Sequence, residues 1–306
     1  TNTVVGPGSD AGVIRVRGTH KGLAMTTDGN GRFVYLSPKV GGKIALVEAV
    51  CNIIASGAEP LAITDCLNYG DPNDPEIFWE LHQSVQGMAN ACRVFDTPVI
   101  SGNVSLYNEN NGQAIHPTPM VGMVGLVKNL NHVIPSFAQH PGDRVYLVGQ
   151  TGDDYAGSEL QKMLQGDISG TLADFDLETV RDYLHRLLKL MQAGKVASAH
   201  DLSEGGLGVA LSETLFKTDL GMDLDLRHLT ADQFFSETPG RLVVTVPAEA
   251  AADFESAMGG AATMGGTVTN SHWLEARLAA AEVNQSVAEL QKLWEEALPC
   301  QLKSKD

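Results

Sequence analysis

The sequence predicts an α/β chain of two domains, and three observations carry that expectation. Segments of strand character alternate with segments whose apolar residues recur at helical spacing, as at Ile44, Val47, Cys51 and Ile54. At 306 residues, 43% of them hydrophobic, the chain is long for one core and comfortable for two. From Asn129 to Gly142 the pattern breaks into polar, proline-containing sequence, which divides the chain into a first domain over 1–130 and a second over 131–306. Alternation of elements alone leaves a doubly wound sheet open.

Charge and cysteine usage narrow the function classes. Lys and Arg total 21 against 37 Asp and Glu, a net charge of -16 that opposes general attraction to nucleic acid or anionic membrane. A phosphate ligand must then be held locally, by backbone amides and metal ions. No apolar run approaches membrane-spanning length, and Thr1-Asn2-Thr3 lacks the basic and apolar regions of a signal peptide, so a cytoplasmic protein is expected. The start without Met, followed at once by the strand Val13-Ile14-Arg15-Val16, reads as an interior piece of a longer chain or a processed product. Cys51, Cys66, Cys92 and Cys300 have no metal-ligand spacing and read as reduced, mostly buried thiols.

Along the first domain, Gly6-Pro7-Gly8-Ser9-Asp10 reads as a connecting turn, and Leu23-Ala24-Met25 as a strand ending in the turn Thr26 to Arg32, where Asp28 and Asn30 suit turn positions. Phe33 to Leu36 reads as strand and Ser37 to Gly42 as loop. A helix is expected from Lys43 to Ser56, ended by Gly57 in the left-handed conformation. Lys39 and Lys43 read as solvated surface. Pro60 to Ile63 is a strand that delivers Asp65 into a polar turn, a placement suited to a ligand at a strand end. Asp74-Pro75 opens a long helix with Ile77, Leu81, Val85, Met88 and Cys92 on its apolar face. That helix returns the chain to Pro98-Val99-Ile100-Ser101-Gly102-Asn103-Val104-Ser105-Leu106-Tyr107-Asn108. There a glycine lets the backbone approach a ligand, and Asn103 and Ser105 add side-chain oxygens suited to a hydrated metal or a phosphate. If the strands of Asp65 and Gly102 share a sheet edge, one ligand can touch both. After the turn Asn110-Asn111-Gly112, His116 precedes a glycine-spaced strand and reads as structural.

The string from Pro98 to Asn108, with Thr64-Asp65-Cys66-Leu67-Asn68, closely resembles motifs of the formylglycinamidine ribonucleotide synthase family, the ATP-dependent amidotransferases of purine biosynthesis, in their small-subunit form. The resemblance covers the whole chain as the C-terminal half of a longer protein, down to Leu298–Asp306, which resembles that family's C-terminus. It implies that Asp65 and Gly102 contact ATP, that Asn103 binds magnesium and that Ser105 reaches formylglycinamide ribonucleotide. The family's first half carries its catalytic His in a Glu-Ser-His-Asn-His signature at a strand end comparable to residues 26–32. This chain has no His there, His20 preceding the strand, so no catalytic residue is assigned within it.

In the second domain Arg144 to Gly149 reads as strand and Leu177 to Ala193 as a helix ended by Gly194. Ala199-His200-Asp201-Leu202-Ser203-Glu204-Gly205-Gly206-Leu207-Gly208 leads through a glycine-rich turn into a helix to Leu215, an N-terminus able to hold phosphate although no P-loop Lys follows. It resembles a segment shared by this synthase and aminoimidazole ribonucleotide synthase, and a structural or auxiliary nucleotide-site role is expected for it. Adjacent residues such as His200 and Asp201 rarely point at one atom. Ser236-Glu237-Thr238-Pro239 departs from the family's pattern, which removes the basis for a ligand role at Ser236 and Glu237. Leu242 to Val246 is a strand, helices follow near Ala248 to Met258 and Val287 to Leu298, and Trp273 and Trp294 read as packing residues.

The resemblance implies an aminoimidazole ribonucleotide synthase-like architecture: an N-terminal domain with a mainly antiparallel sheet carrying helices, and a C-terminal α/β domain. It further implies ATP and Mg2+ as cofactors, with an N-terminal half, a glutaminase subunit and a small accessory subunit as partners. Two other readings are a half carrying only an auxiliary ADP site and a self-sufficient homodimeric enzyme of the same superfamily.

Overall fold

The computed structural model describes residues 2–302. Its first sheet is laid down by β1 (Thr3–Val5), β2 (Gly12–Arg15), β3 (Gly22–Asp28), β4 (Glu59–Asn68) and β5 (Val99–Ser105). A hairpin of β6 (Glu109–Asn110) and β7 (Gln113–Ala114) then leads into β8 (Thr118–Val127). The order is β1-β2-β3-β8-β4-β5, and every neighbouring pair is antiparallel except β4 with β5. The mainly antiparallel sheet is therefore present, and a doubly wound one is excluded. β5 is parallel to β4 because the chain between them is a full helical crossover.

Helices α1 (Gly31–Leu36), α2 (Pro38–Ala55) and α3 (Pro75–Phe95) belong to this half. Phe33 to Leu36, expected as strand, is helical, with the Asn30 side chain accepting from the Arg32 N–H at its start. Residues 37–42, expected as loop, include the first turns of α2, for which Pro38 supplies the preset first φ. The two glycines that suggested a loop allow close approach instead: a Cβ on Gly42 would collide with the Ser84 carbonyl of α3. α2 is buried on nearly all sides, and Lys43 with it, so the expectation of a solvated surface fails for Lys43 and holds for Lys39, which is exposed. Asp74 caps α3 and Gly57 follows α2 at φ 81°, both as expected.

The second sheet has seven strands, β9 (Arg144–Val148), β10 (Ser198–Asp201), β11 (Gly221–Leu226), β12 (Leu242–Val246), β13 (Ala262–Thr269), β14 (Trp273–Leu278) and β15 (Glu282–Ser286). They run in the order β10-β12-β9-β13-β11-β14-β15, with only β11 and β14 parallel. Helices α4 (Glu159–Gln165), α5 (Leu177–Gln192), α6 (Gly206–Leu215), α7 (Ala231–Phe234), α8 (Ala251–Met258) and α9 (Val287–Leu302) complete the chain. One apolar cluster runs unbroken from Val13, Leu46 and Val121 through Leu184, Leu187 and Val244, so both sheets share a core around α2 and α5. Each such fully buried side chain contributes about 1.5–3 kcal/mol. A second cluster, with Leu207, Leu211, Met222 and Leu274, lies under α6 on the other face of the second sheet. No helix of the described residues is long and apolar enough to cross a membrane. Cys51 is buried, but Cys66 is exposed, and the Cys300 side chain lies outside the described residues.

Candidate functional site

β5 is the edge of the first sheet, and the register of its parallel pairing sets Asp65 opposite Gly102, Cys66 opposite Asn103 and Asn68 opposite Ser105. The expected polar turn at Gly102 does not occur, because residues 99–105 continue as strand and the bend comes at Tyr107, at φ 62°. Paired residues share a face and successive residues alternate. Asp65 and Gly102 therefore lie on the face that α2 and α3 cover, together with Ile63 and Leu67. Asn103 and Ser105 lie on the open face with Cys66 and Asn68.

The contacts agree with this division. A Cβ on Gly102 would collide with Asp65 Oδ1, and Asn103 Nδ2 lies 3.8 Å from Cys66 Sγ. The four residues thus form a single edge seen from both sides. Partial burial raises the pKa of Asp65, against the backbone N–H of Asn103, which lowers it. With Nδ2 turned to sulfur, the Asn103 amide oxygen accepts no hydrogen bond among the described residues. A neutral oxygen donor free to face a hydrated ion and phosphates fits magnesium, which is bound by few protein ligands. Val99, Ile100 and Val104 on the same strand are more than half exposed, an apolar edge of the kind that seeks a partner.

A second locus lies between the two sheets: a cavity of about 340 Å³ bounded among others by Asp10, Asp28, Glu48, Ser136, His200 and Trp294. Asp10, which the sequence reading left in a connector, is its centre. Its Oδ1 accepts from His200 Nδ1 at 2.6 Å and from the Asp201 backbone N–H at 3.2 Å, so His200 meets it with its ring and Asp201 with its main chain. His200 Nε2 donates to Glu213 at 3.0 Å, and the other oxygen of Glu213 accepts from the Trp294 indole at 2.9 Å. Trp294 also packs on Phe216, in keeping with a packing role.

Burial opposes both charges, yet the pair wins: the His200 pKa is raised well above its usual value by Asp10 and Glu213, and that of Asp10 is lowered by His200. Burial and the Asp10 charge push Asp201 well up. Asp28, expected as a turn residue, ends β3 buried, accepting from Thr26 and Asn52. Burial carries it to about 6 despite those bonds. Glu48 is pushed to about 8 by burial and by the charge of Asp28.

Asp10, His200 and Asp201 offer donor atoms within 4.8 Å of one another. Both His200 nitrogens are engaged with carboxylates, however, which leaves no lone pair for a metal. The cluster is an ion-pair network joining the two halves.

The glycine-rich turn before α6 is present, with Gly205 and Gly206 at positive φ. Glu237 Oε1 already accepts from Gly205 N–H at 2.9 Å and from Glu159 N–H at 2.8 Å. The carboxylate thus ties the N-cap of α6 to the start of α4, a structural role for Glu237. Ser236 likewise bonds within the fold, to the Asp154 N–H at 3.3 Å and Thr238 Oγ1 at 2.9 Å. The residues missed by sequence reasoning, Asp10, Glu48 and Ser136, come from three distant segments. Only the run Ser9-Asp10 in a glycine loop gave a local signal.

Residues 8–127 match the AIR synthase related protein N-terminal domain family, and residues 140–278 the AIR synthase related protein C-terminal domain family. The phosphoribosylformylglycinamidine synthase subunit PurL of Limosilactobacillus reuteri (strain DSM 20016) is 75% identical over 306 residues, which is 100% of this chain and 41% of that protein. The chain thus spans well under half the length of the curated relatives it matches. Among solved structures, T. maritima PurL complexed with FGAR aligns with a TM-score of 0.79 at 19% identity, over 95% of this chain and 49% of that one. T. maritima PurL complexed with ATP aligns with a TM-score of 0.74 at 20% identity, over 94% and 47%. At those identities the likeness establishes the two-domain fold.

Proposed function

The chain belongs to the AIR synthase related family, and from that membership we propose that it is one part of an ATP-dependent carbon-nitrogen ligase of purine biosynthesis. The enzyme would convert formylglycinamide ribonucleotide, ATP and glutamine-derived ammonia to formylglycinamidine ribonucleotide, ADP and phosphate. The observation that carries this reading is the β4–β5 register, which sets Asp65 against Gly102 on one side of an unpaired edge and Asn103 with Ser105 on the other. A ligand pair meeting at that edge is touched by all four.

In the proposed reaction the substrate amide oxygen attacks the γ-phosphorus of ATP, and ADP departs. Ammonia then adds to the activated carbon, and phosphate leaves with the former amide oxygen as the surplus proton passes to a base. Asp65 and Gly102 bind ATP, the glycine by leaving beside the strand the room that the Asp65 carboxylate fills. Ser105 binds formylglycinamide ribonucleotide. Asn103 would hold magnesium by its amide oxygen, and the bound ion would offset the charge of phosphoryl transfer. The base is a His of the remainder of the longer protein, since Asp28 and Asn30 stand where it would be. The remainder also covers Val99, Ile100 and Val104, so this chain alone is inactive. A glutaminase subunit and a small accessory subunit complete a cytoplasmic assembly that binds neither nucleic acid nor membrane.

The test is made in the full-length protein, with ATP, magnesium, formylglycinamide ribonucleotide and ammonia. Asp65→Ala should raise KM for ATP, and Asn103→Ala should shift the magnesium dependence of turnover. Unchanged kinetics in both would overturn the reading.

One observation favours a second reading, an auxiliary ADP site in the cavity between the sheets. Ser136 Oγ lines that cavity, is buried and has no hydrogen-bond partner among the described residues. ADP binding to this chain alone, weakened by Ser136→Val and untouched by Asn103→Ala, would support it.

A further inference from the structure

Asn108 stands just past the left-handed bend at Tyr107, and its side chain is held on three sides. Nδ2 donates to the carbonyl of Tyr69 at 3.0 Å and to the carbonyl of Ser105 at 2.8 Å. Oδ1 lies 3.2 Å from Ser105 Oγ. The main chain is fixed as well: the N–H of Asn108 donates to Tyr69 O at 3.1 Å, and its carbonyl accepts from Ile115 at 3.1 Å. Carbonyl oxygens only accept, so the amide nitrogen must face Tyr69 and Ser105. Flipping the amide would set oxygen against two oxygens. Oδ1 is thereby fixed as an acceptor, and the proton that reaches it is the hydroxyl proton of Ser105.

This settles what Ser105 can offer to a ligand. Its O–H is spent on Asn108, and its lone pairs remain. We infer that Asn108 is a positioning residue that sets the polarity of Ser105, and that the ligand group met by Ser105 is a hydrogen-bond donor, an amide N–H, and not a phosphate oxygen. The inference rests on the reading of Ser105 as a substrate contact. The proposed substrate carries donors in two amide N–H groups and two ribose hydroxyls as well as a phosphate, so the polarity of one hydroxyl excludes the phosphate, and of the donors the amides are the ones assigned to it.

The experiment uses the full-length protein with Ser105→Ala, Asn108→Ala and the double variant, reading KM for formylglycinamide ribonucleotide and for ATP separately. Each single variant should raise KM for the ribonucleotide about three- to tenfold, the range expected for one lost hydrogen bond, with KM for ATP unchanged. The double variant should be no worse than the worse single, because both remove the same contact. Multiplying effects would show that Asn108 acts elsewhere and overturn the inference. An effect of Ser105→Ala without one of Asn108→Ala would overturn it while leaving the substrate reading intact. No effect of Ser105→Ala would overturn the substrate reading itself, and the inference with it.

Asn108→Ser, which keeps a turn-forming residue but cannot reach Ser105, serves if Asn108→Ala lowers the melting temperature or disturbs KM for ATP. Substrate analogues methylated at each amide nitrogen test the donor. One of them should bind the parent more weakly and Ser105→Ala no differently from the unmethylated substrate. Equal binding of both analogues to the parent would overturn the assignment.

Discussion

Asp65 and Gly102 stand opposite one another in the parallel pairing of β4 and β5, and the absent Cβ of Gly102 leaves the space that Asp65 Oδ1 fills. Gly102 does not lie at positive φ, so its backbone tolerates alanine. The methyl group of Gly102→Ala would displace the carboxylate sideways along an exposed strand. In the full-length protein we expect an intact fold and a KM for ATP raised about tenfold or more, the scale of a lost hydrogen bond to a charged group. An unchanged KM for ATP, measured beside Asp65→Asn as a reference, would remove Asp65 from the site.

His200 and Asp10 bind the two halves together with side chains only 14% and 2% exposed. Removing one member of such a pair strands a buried charge, so His200→Ala should lower stability by about 3–5 kcal/mol. The pH dependence has a definite sign. The pKa of His200 is raised on folding, so its contribution is complete below the unfolded value of 6.5 and is lost as pH rises through the folded value. The gap in melting temperature between parent and variant should therefore be widest near pH 6 and narrow in alkali. A gap that widened in alkali would mean that the imidazole is neutral.

The strands and long helices were legible because their periodicity is local, and Asp74 and Gly57 marked helix ends by local chemistry. Residues 31–42 were not. Gly41 and Gly42 look like a loop in one dimension and become helix contacts only when α1 is laid against the first and α3 against the second. Lys43 failed for the same reason, since its partner Asp174 is remote in sequence. At the β5 edge the motif placed the residues, but only the strand register could show that Asp65 and Asn103 face opposite sides. The cluster around Asp10 was illegible because its members come from separate elements, and nothing near Asp10 announces His200.

The α2–α3 contact makes its own prediction. Gly42→Ala would drive a methyl group into the Ser84 carbonyl, a main-chain atom that cannot swing away, and should cost about 1–3 kcal/mol. Gly6 has open space around its Cβ position and no positive φ, so Gly6→Ala should be neutral or slightly stabilising. Thermal unfolding of the two variants decides the matter, and equal melting temperatures would show that α2 does not approach α3 so closely.

Lys43 carries a charge into the core from α2 to hold a segment of the second half. Its Nζ lies 2.6 Å from Asp174 Oδ1, with side-chain exposures of 10% for the lysine and 63% for the aspartate. The same Oδ1 accepts the Phe175 N–H at 2.9 Å, and the ammonium sits 6.0 Å from the centre of the Phe175 ring. Lys43→Met keeps the apolar stem and leaves Asp174 to water, so global stability should change by no more than about 1 kcal/mol. The effect should instead be local: the Phe175 amide and its neighbours should exchange hydrogen faster, because the carboxylate that orders them has lost its anchor. Burial opposes the Asp174 charge, but the bonds from Lys43 and the Phe175 N–H prevail and lower its pKa. That contribution is present above the unfolded value of 3.8 and is lost as pH falls through the lowered one, so the difference in exchange should fade in acid. Unaltered protection of Phe175 at neutral pH would mean that the segment is held by Leu172 and Phe175 packing on Phe33, Val40 and Ile44 instead.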